Sequence, residues 1–591
     1  MLPRHAPGRR AHHLAINIST PTPYRPSVFQ LVVGRPLFRW ILLIIGAMFG
    51  LWIFAPLLFG GGYRLHRHHR PYIPDGIAFP PPPHRPPPPP HHEGPPTVWS
   101  ERADRVRDAF VHAWSGYSKY AAGYDELMPV TGEPVNNFNG WGVTLFDSLD
   151  TMWLMGLHDS FREALGSVAK STFALKENNY APFFETVIRY LGGLLSAYAL
   201  SGEPVLLTRA DDLGSMLLPA FNTTSGLPMY AVNTVSGRTR LGWSGSVLWA
   251  EALSNQMEYK YLAHLTGRTE YYNKTESIMQ KMYTANHTDG LFATMWDIHK
   301  ATPSNFHFSV GAYADSAHEY LLKQWLLTAQ SEPKTRDLYL QSMSGILNKL
   351  LYLTPTRQLL YVTDIQNNYP THIFEHLSCF LPGLLALGVY SLPDLSKRDK
   401  ELHTWAAKGL AETCWATYFD TTTGLGPDEI AMTPGDLWMG KMEEWEAGGR
   451  VGVPPGTWEV KRQRWEAGRD WTVRKPGYLL RPEAVESFYI LWKTTGDVRW
   501  RERGWSVFKA IEKYTRTKYG YASLASVDDA YPQLKDEMPS YFLAETLKYL
   551  FLLFTDEDPL SLKHWVFNTE AHPLPVFDWS PWEKEEYNIT L

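Results

Sequence analysis

The chain has 591 residues, 44% of them hydrophobic, and a formal net charge of −5. This composition supplies a large apolar core and offers no basic surplus for nucleic acid. Its two cysteines, Cys379 and Cys414, exclude a four-cysteine zinc site; 35 residues apart, they also lack the close spacing of a usual zinc finger.

Residues 40–59 form an uncharged, mostly apolar run of 20 residues. At ~1.5 Å per residue such a helix spans a ~30 Å hydrocarbon layer, so the run is expected to be a transmembrane anchor. It begins late, and no small-x-small cleavage site follows it, which argues against a cleaved signal peptide. Arginines flank both sides: Arg25, Arg35 and Arg39 before, Arg64, Arg67 and Arg70 after. Charge alone therefore nearly ties on orientation. Residues 60–98 are rich in proline and read as a stiff, extended stalk. One Asn-x-Ser/Thr acceptor, Asn17, precedes the run, and those at Asn222, Asn273, Asn286 and Asn588 follow it. The latter four fit a short cytosolic tail (1–39) and a lumenal bulk, where a disulfide could also persist.

From residue 99 onward a short pattern recurs. Thr224-Ser-Gly-Leu, Thr288-Asp-Gly-Leu, Thr356-Arg-Gln-Leu and Thr422-Thr-Gly-Leu are spaced by 64, 68 and 66 residues. Thr517-Lys-Tyr-Gly comes 95 later, and the surplus is assigned to a surface insertion near 435–474. Helical periodicity fills the intervals, as at Val106, Phe110, Trp114 and Tyr117. About seven such units fit into 99–591. Seven helical hairpins closing on themselves predict an all-α fold, an (α/α)7 barrel; an open solenoid is the alternative. Asp315, His376, Glu483 and Glu545 share a rough phase in the repeat, which would gather them at one mouth.

Each polar motif has a plain structural reading beside a chemical one. Glu185 and Arg189, four apart, suit an i,i+4 ion pair, although Phe183, Phe184, Val187 and Ile188 surround them with apolar residues. Asp315 could cap a helix. Glu483 and Glu486 follow Pro482, where acids favour the helix dipole. Phe567-Asn-Thr-Glu-Ala-His-Pro573 could be a C-terminal loop, and nothing in its spacing resembles an EF-hand.

Taken in order, these motifs resemble glycoside hydrolase family 47, the class I α-1,2-mannosidases. The likeness covers roughly 103–575. It is carried by Gly140-Trp-Gly-Val-Thr-Leu-Phe-Asp-Ser-Leu-Asp-Thr151, Phe184-Glu-Thr-Val-Ile-Arg189, Asp315-Ser with Glu-Tyr-Leu-Leu-Lys323, His376-Leu-Ser-Cys-Phe380, Leu480-Arg-Pro-Glu483 with Glu486-Ser, Leu543-Ala-Glu545-Thr-Leu-Lys548 and the 567–573 cluster. The resemblance implies an (α/α)7 barrel and inverting removal of terminal α-1,2-linked mannose from high-mannose N-glycans in the endoplasmic reticulum or Golgi. It implies Glu185 as general acid, Glu483 as leading base and Asp315 as the other essential acid, with the base open between the last two. Inverting hydrolysis needs one protonated and one ionised carboxyl, ~6.5–9.5 Å apart.

The resemblance further implies Ca2+ bound directly by Thr569, with Glu483, Glu486, Glu545 and Glu570 holding its waters and sugar hydroxyls. It places Arg189, His376, Arg481, Tyr541 and Glu545 against substrate, and pairs Cys379 with Cys414. Tyr313 departs from the family. The endoplasmic-reticulum type has Arg there and Golgi types a smaller residue, at a position that helps choose the mannose branch. A catalytically silent, glycan-binding relative acting in glycoprotein quality control is the second reading.

Overall fold

The computed structural model describes residues 97–463 and 468–589. The expected tail, anchor and nearly all of the stalk lie outside the described residues. Among the described residues no helix is long and apolar enough to cross a membrane.

Fifteen helices of eight or more residues organise the described chain. In order they are α1 (Val98–Tyr120), α2 (Val143–Leu154), α3 (His158–Lys170), α4 (Gly192–Ser201), α5 (Pro204–Leu217), α6 (Gln256–Thr266), α7 (Thr269–Thr284) and α8 (Asp315–Leu327). They continue with α9 (Pro333–Lys349), α10 (Leu381–Ser391), α11 (Lys397–Phe419), α12 (Trp438–Ala447), α13 (Glu483–Thr495), α14 (Arg499–Tyr514) and α15 (Leu547–Phe554).

Seven of these form an inner ring. α2 packs on α4, α4 on α6, α6 on α8, α8 on α10, α10 on α13 and α13 on α15, and the turn just before α15 returns to α2. Each inner helix carries an outer partner: α3 on α2, α5 on α4, α7 on α6, α9 on α8, α11 on α10, α14 on α13 and α1 on α15. Burial follows this division. The inner α15, Leu-Lys-Tyr-Leu-Phe-Leu-Leu-Phe, is buried along its whole length, as befits a helix apolar all round. The outer α1 buries one face, including Val106, Phe110, Trp114 and Tyr117, the residues whose spacing predicts it. Thr97 caps α1, its hydroxyl accepting from Ser100 N at 3.1 Å.

Two expectations are corrected. The helical pattern predicts no strands, yet short antiparallel ribbons link the helices, such as Ile373–Glu375, Glu429–Met432 and Trp471–Lys475 side by side. The 435–474 segment is more than a surface insertion. Asp436–Leu437 adds an edge to Leu351–Leu353, Trp471–Lys475 adds one to Glu429–Met432, and Trp438 and Trp471 are buried. Among the described residues α12 is the one long helix that stands outside the inner-outer alternation, and it packs on α9.

Candidate active site

The chain begins most inner helices at one end with a polar side chain. Asp315 opens α8 and Glu483 opens α13. His376 lies in the tight turn His376–Phe380 that leads into α10. Glu185 belongs to the short helix Phe183–Thr186 ahead of α4, and Glu545 to the wide turn Phe542–Thr546 ahead of α15. Helix N-termini present unpaired N–H groups and positive partial charge, so they favour carboxylates.

Two of these entries are π-helical, Val187–Leu191 and Phe542–Thr546. Such wide turns re-aim side chains and occur often at functional sites. Arg189 sits in the first and Glu545 in the second. The approach to Glu483 is also unusual. Leu480 is buried at φ +61°, a region uncommon for a side chain with a Cβ. Its carbonyl accepts from Thr546 Oγ1 at 2.7 Å, which holds the turn that presents Arg481 and Glu483.

The Gly140-Trp-Gly-Val-Thr motif has a structural cause. The buried Asp125 carboxylate accepts from the backbone N–H groups of Phe138 (3.0 Å), Gly140 (2.7 Å), Trp141 (3.1 Å) and Gly142 (3.1 Å). Gly140 and Gly142 take φ +75° and +83°, open to glycine at no steric cost. The loop so formed starts α2 and delivers Asp147 and Asp150 to the interior.

Arg189 is the hub of one wall. Its Nε donates to Glu185 at 2.8 Å, its guanidinium pairs with Glu570, and Asp147 lies 3.7 Å away. The predicted i,i+4 pair therefore exists, but it is one arm of a larger cluster. Tyr541 packs its ring under the guanidinium at 5.8 Å and donates its hydroxyl to Leu479 O at 2.7 Å. Below, His572 bridges Asp150 (2.8 Å) and Asp147 (3.3 Å), and Lys548 pairs with Asp150 at 2.9 Å.

Glu483 is the hub of the other wall. His376 Nδ1 meets its carboxylate at 2.6 Å and Arg481 lies at 3.7 Å. Burial works against the charge of Glu483, but the His376 hydrogen bond and the neighbouring cations hold its carboxyl below the usual range. Arg481 in turn donates to Asp428 at 2.7 Å. Asp315 behaves oppositely. Burial, with Glu319, Glu375 and Glu483 nearby, pushes its carboxyl up to about 8, although Ser316 N donates to it at 2.7 Å.

Thr569 stands at the tip of a hairpin, Trp565–Phe567 paired with Pro573–Pro575, that reaches the inner helices. Its hydroxyl donates to Glu319 at 3.0 Å. Glu319 pairs with Lys323, and Lys323 lies 3.7 Å from Glu486. Glu486, Glu545 and Glu570 are all raised, first by burial and then in part by one another and by further acids. The donors here are all oxygen, and acid outnumbers base, a setting that suits a hard divalent cation. Among the described residues no three His, Cys, Asp or Glu side chains stand close enough to hold a metal by themselves. The resemblance expects a single direct protein ligand, Thr569, with acids acting through water.

Glu319, Lys323, Asp147, Glu126 and Glu375 join this neighbourhood without having been singled out as site residues. Glu319 and Lys323 stand four apart, a spacing that suits the ion pair they form. Glu126, which accepts from Ser540 N at 3.0 Å and Asn137 at 2.7 Å, carries no local signal. Cys379 and Cys414 form a disulfide between the entry to α10 and α11. The four sequon asparagines among the described residues are exposed.

A ring of paired helices with carboxylates gathered at its inner N-termini defines a toroidal, acid-lined cleft. The family model for glycosyl hydrolase family 47 matches residues 109–576, and the chain belongs to this family. The chain is 35% identical over 483 residues to mannosyl-oligosaccharide alpha-1,2-mannosidase IA of Drosophila melanogaster, covering 80% of this chain and 67% of that one. It is 38% identical over 497 residues to the endoplasmic reticulum mannosyl-oligosaccharide 1,2-alpha-mannosidase of Homo sapiens, covering 83% and 66%. The match thus spans about two thirds of the length of both relatives. The solved α-1,2-mannosidase of Trichoderma reesei superposes with a TM-score of 0.72 at 29% identity, over 81% of this chain and 99% of that one.

Proposed function

We propose that the protein is a mannosyl-oligosaccharide 1,2-α-mannosidase: an inverting hydrolase that removes terminal α-1,2-linked mannose from high-mannose N-glycans. The inner helices with their outer partners support reading the fold as an (α/α)7 barrel whose mouth is the cleft. The observation that carries the proposal is the opposite electrostatic setting of two facing acids. Glu483 is held ionised by His376 and Arg481, while Asp315 is held protonated up to about pH 8. Hydrolysis with inversion needs an ionised carboxyl to activate water, and this setting leaves Glu483, not Asp315, in that state.

Glu483 is the base. It takes a proton from the water that attacks the anomeric carbon. Glu185, on the Arg189 side, gives the proton to the departing glycosidic oxygen, directly or through a water. Asp315, kept neutral, donates a hydrogen bond to the sugar and does not compete as base. Arg189, His376, Arg481 and Tyr541 bind and orient the reacting ring.

Thr569, with Glu486, Glu545 and Glu570 behind it, would hold Ca2+. When bound, the ion supplies positive charge that fixes sugar hydroxyls and water in this acid-rich floor. Residence in the secretory pathway, as a single-pass type II protein anchored by 40–59, fits the disulfide and the exposed sequons.

A timed digest of a nine-mannose N-glycan tests the proposal. Wild-type protein releases free mannose, seen first as the β-anomer by NMR. Glu185→Gln and Glu483→Gln each lower the rate by about 10²–10⁴. Retained activity in Glu483→Gln overturns the assignment. Tight glycan binding without any mannose release by the oxidised wild type favours the quality-control lectin reading.

A further inference from the structure

The chain reaches its last inner helix through a segment that an early part of the sequence holds at alternate residues. Asp536 accepts from Val130 N at 2.6 Å and from Thr131 Oγ1 at 2.7 Å. Met538 bridges Leu127 in antiparallel sense, and both side chains are buried. Ser540 N donates to a Glu126 oxygen at 3.0 Å. Tyr541 comes next, and its ring packs under Arg189.

The other Glu126 oxygen accepts from Asn137 Nδ2 at 2.7 Å. Asn137 lies in the loop whose N–H groups the neighbouring Asp125 collects at the entry to α2. One carboxylate therefore ties the entry of the first inner helix to that of the last, 414 residues further along the chain. Each oxygen takes one N–H donor, a fork that suits a carboxylate. Burial raises the Glu126 carboxyl, while Asn137, Ser540 N and Arg189 favour its ionised form.

Tyr541 is fixed at its far end as well, where its hydroxyl donates to Leu479 O at 2.7 Å. The ring is strung between that carbonyl and the Ser540 backbone. Ser540 Oγ donates to Asp147, which lies 3.7 Å from Arg189. The height of Ser540 thus sets how the Tyr541 face meets the guanidinium, 5.8 Å from its ring centre. A misplacement of about 1 Å, even at a distance from the reacting atoms, is enough to slow an enzyme.

We propose that Glu126 is a positioning residue for the reacting sugar: by joining Ser540 N to Asn137 it keeps the Tyr541 ring in place under Arg189. Its two hydrogen bonds end on Ser540 and Asn137, so it acts on sugar binding through Tyr541 and leaves the proton transfers of Glu185 and Glu483 intact. The inference rests on the mannosidase reading given above.

The test measures KM and kcat for α-1,2-mannobiose in wild type, Glu126→Ala, Glu126→Gln and Asn137→Ala, each with Tyr541 and with Tyr541→Ala. Glu126→Ala should raise KM about 3- to 10-fold and leave kcat within about 2-fold, the pattern of binding lost equally from ground and transition states. Glu126→Gln should recover most of the KM. Its amide oxygen still accepts from Ser540 N, and the exposed Asn137 can turn its own amide to accept. Asn137→Ala removes one arm of the fork at the surface and should raise KM about 2-fold; it carries the test if Glu126→Ala does not fold. With Tyr541→Ala in place, Glu126→Ala should have little further effect, because the two act as one unit.

Equal effects in both backgrounds, a lower kcat at unchanged KM, a lower Tm at unchanged KM, or a Gln variant as poor as the Ala variant each overturns the proposal. A crystal structure of Glu126→Ala, or of Asn137→Ala if the former does not fold, separates it from the hydrolase reading. Wild-type protein that releases no mannose ends that reading alone. A Tyr541 ring displaced from Arg189 still supports placement by Glu126, and an unmoved ring overturns it.

Discussion

His376 Nδ1 lies 2.6 Å from a carboxylate oxygen of Glu483, and the other ring nitrogen of His376 lies 2.6 Å from the Tyr418 hydroxyl. An ionised carboxylate only accepts, so Nδ1 donates to Glu483, and the Tyr418 hydroxyl is the partner of Nε2. The chain Tyr418–His376–Glu483 fixes the orientation and charge of Glu483, the proposed base.

His376→Ala should therefore raise the Glu483 carboxyl. The hydrogen bond and charge that oppose burial would be lost, and burial would remain. Glu483 must be ionised to act, so the acidic limb of the kcat–pH profile moves to higher pH, by about one unit. The profile on a nine-mannose glycan checks this. An unmoved limb with lower kcat would mean that His376 only shapes the pocket.

Asp315 gives a stability prediction of the opposite sign to a salt-bridged acid. Its carboxyl is raised from an ordinary 3.8 to about 8, chiefly by burial. The neutral form is the one that folding favours. Its contribution is complete below pH ~4 and is lost as pH climbs through about 8. Asp315→Asn cannot ionise, so calcium-free Asp315→Asn should melt about 2–4 °C above calcium-free wild type at pH 8.5. The two should converge below pH ~4. Thermal melts at both values test it, and a constant offset would refute it.

Chelation should remove activity and lower Tm. Calcium at about 100-fold over its Kd stabilises by about 2.7 kcal/mol if it binds only the folded chain. Titration of calcium into chelated protein should raise Tm in wild type and much less in Thr569→Ala. Equal rises would move the ion away from Thr569.

Cys379→Ser with Cys414→Ser should cost about 3–4 kcal/mol. Both sulfurs are fully buried, and the bridge closes a 35-residue separation between α10 and α11. Urea unfolding of oxidised wild type against the double variant measures the difference. Cys379 shares the turn His376–Phe380 with the histidine that meets Glu483, so kcat on a nine-mannose glycan should fall together with stability.

Much of this architecture was legible. The ~66-residue repeat marks the loops that follow the outer helices, and the helical spacing of Val106, Phe110, Trp114 and Tyr117 marks the buried face of α1. The common phase of Asp315, His376, Glu483 and Glu545 corresponds to entries of inner helices. The connecting ribbons were not legible. They are two to five residues long, too short for alternation to be distinguished from a turn.

The site divides in the same way. Repeat period and apolar spacing are local properties of the chain, so the sequence by itself determined the pairing of helices and the end at which the acids gather. The protonation of those acids was decided by the tertiary structure alone. Asp315 is raised first by burial and then by acids that include Glu375 and Glu483, and Glu483 is lowered by His376, 107 residues away. Arg189 meets Glu570 across 381 residues. Burial and through-space charge set a carboxyl's proton affinity, and neither is written in the residues beside it.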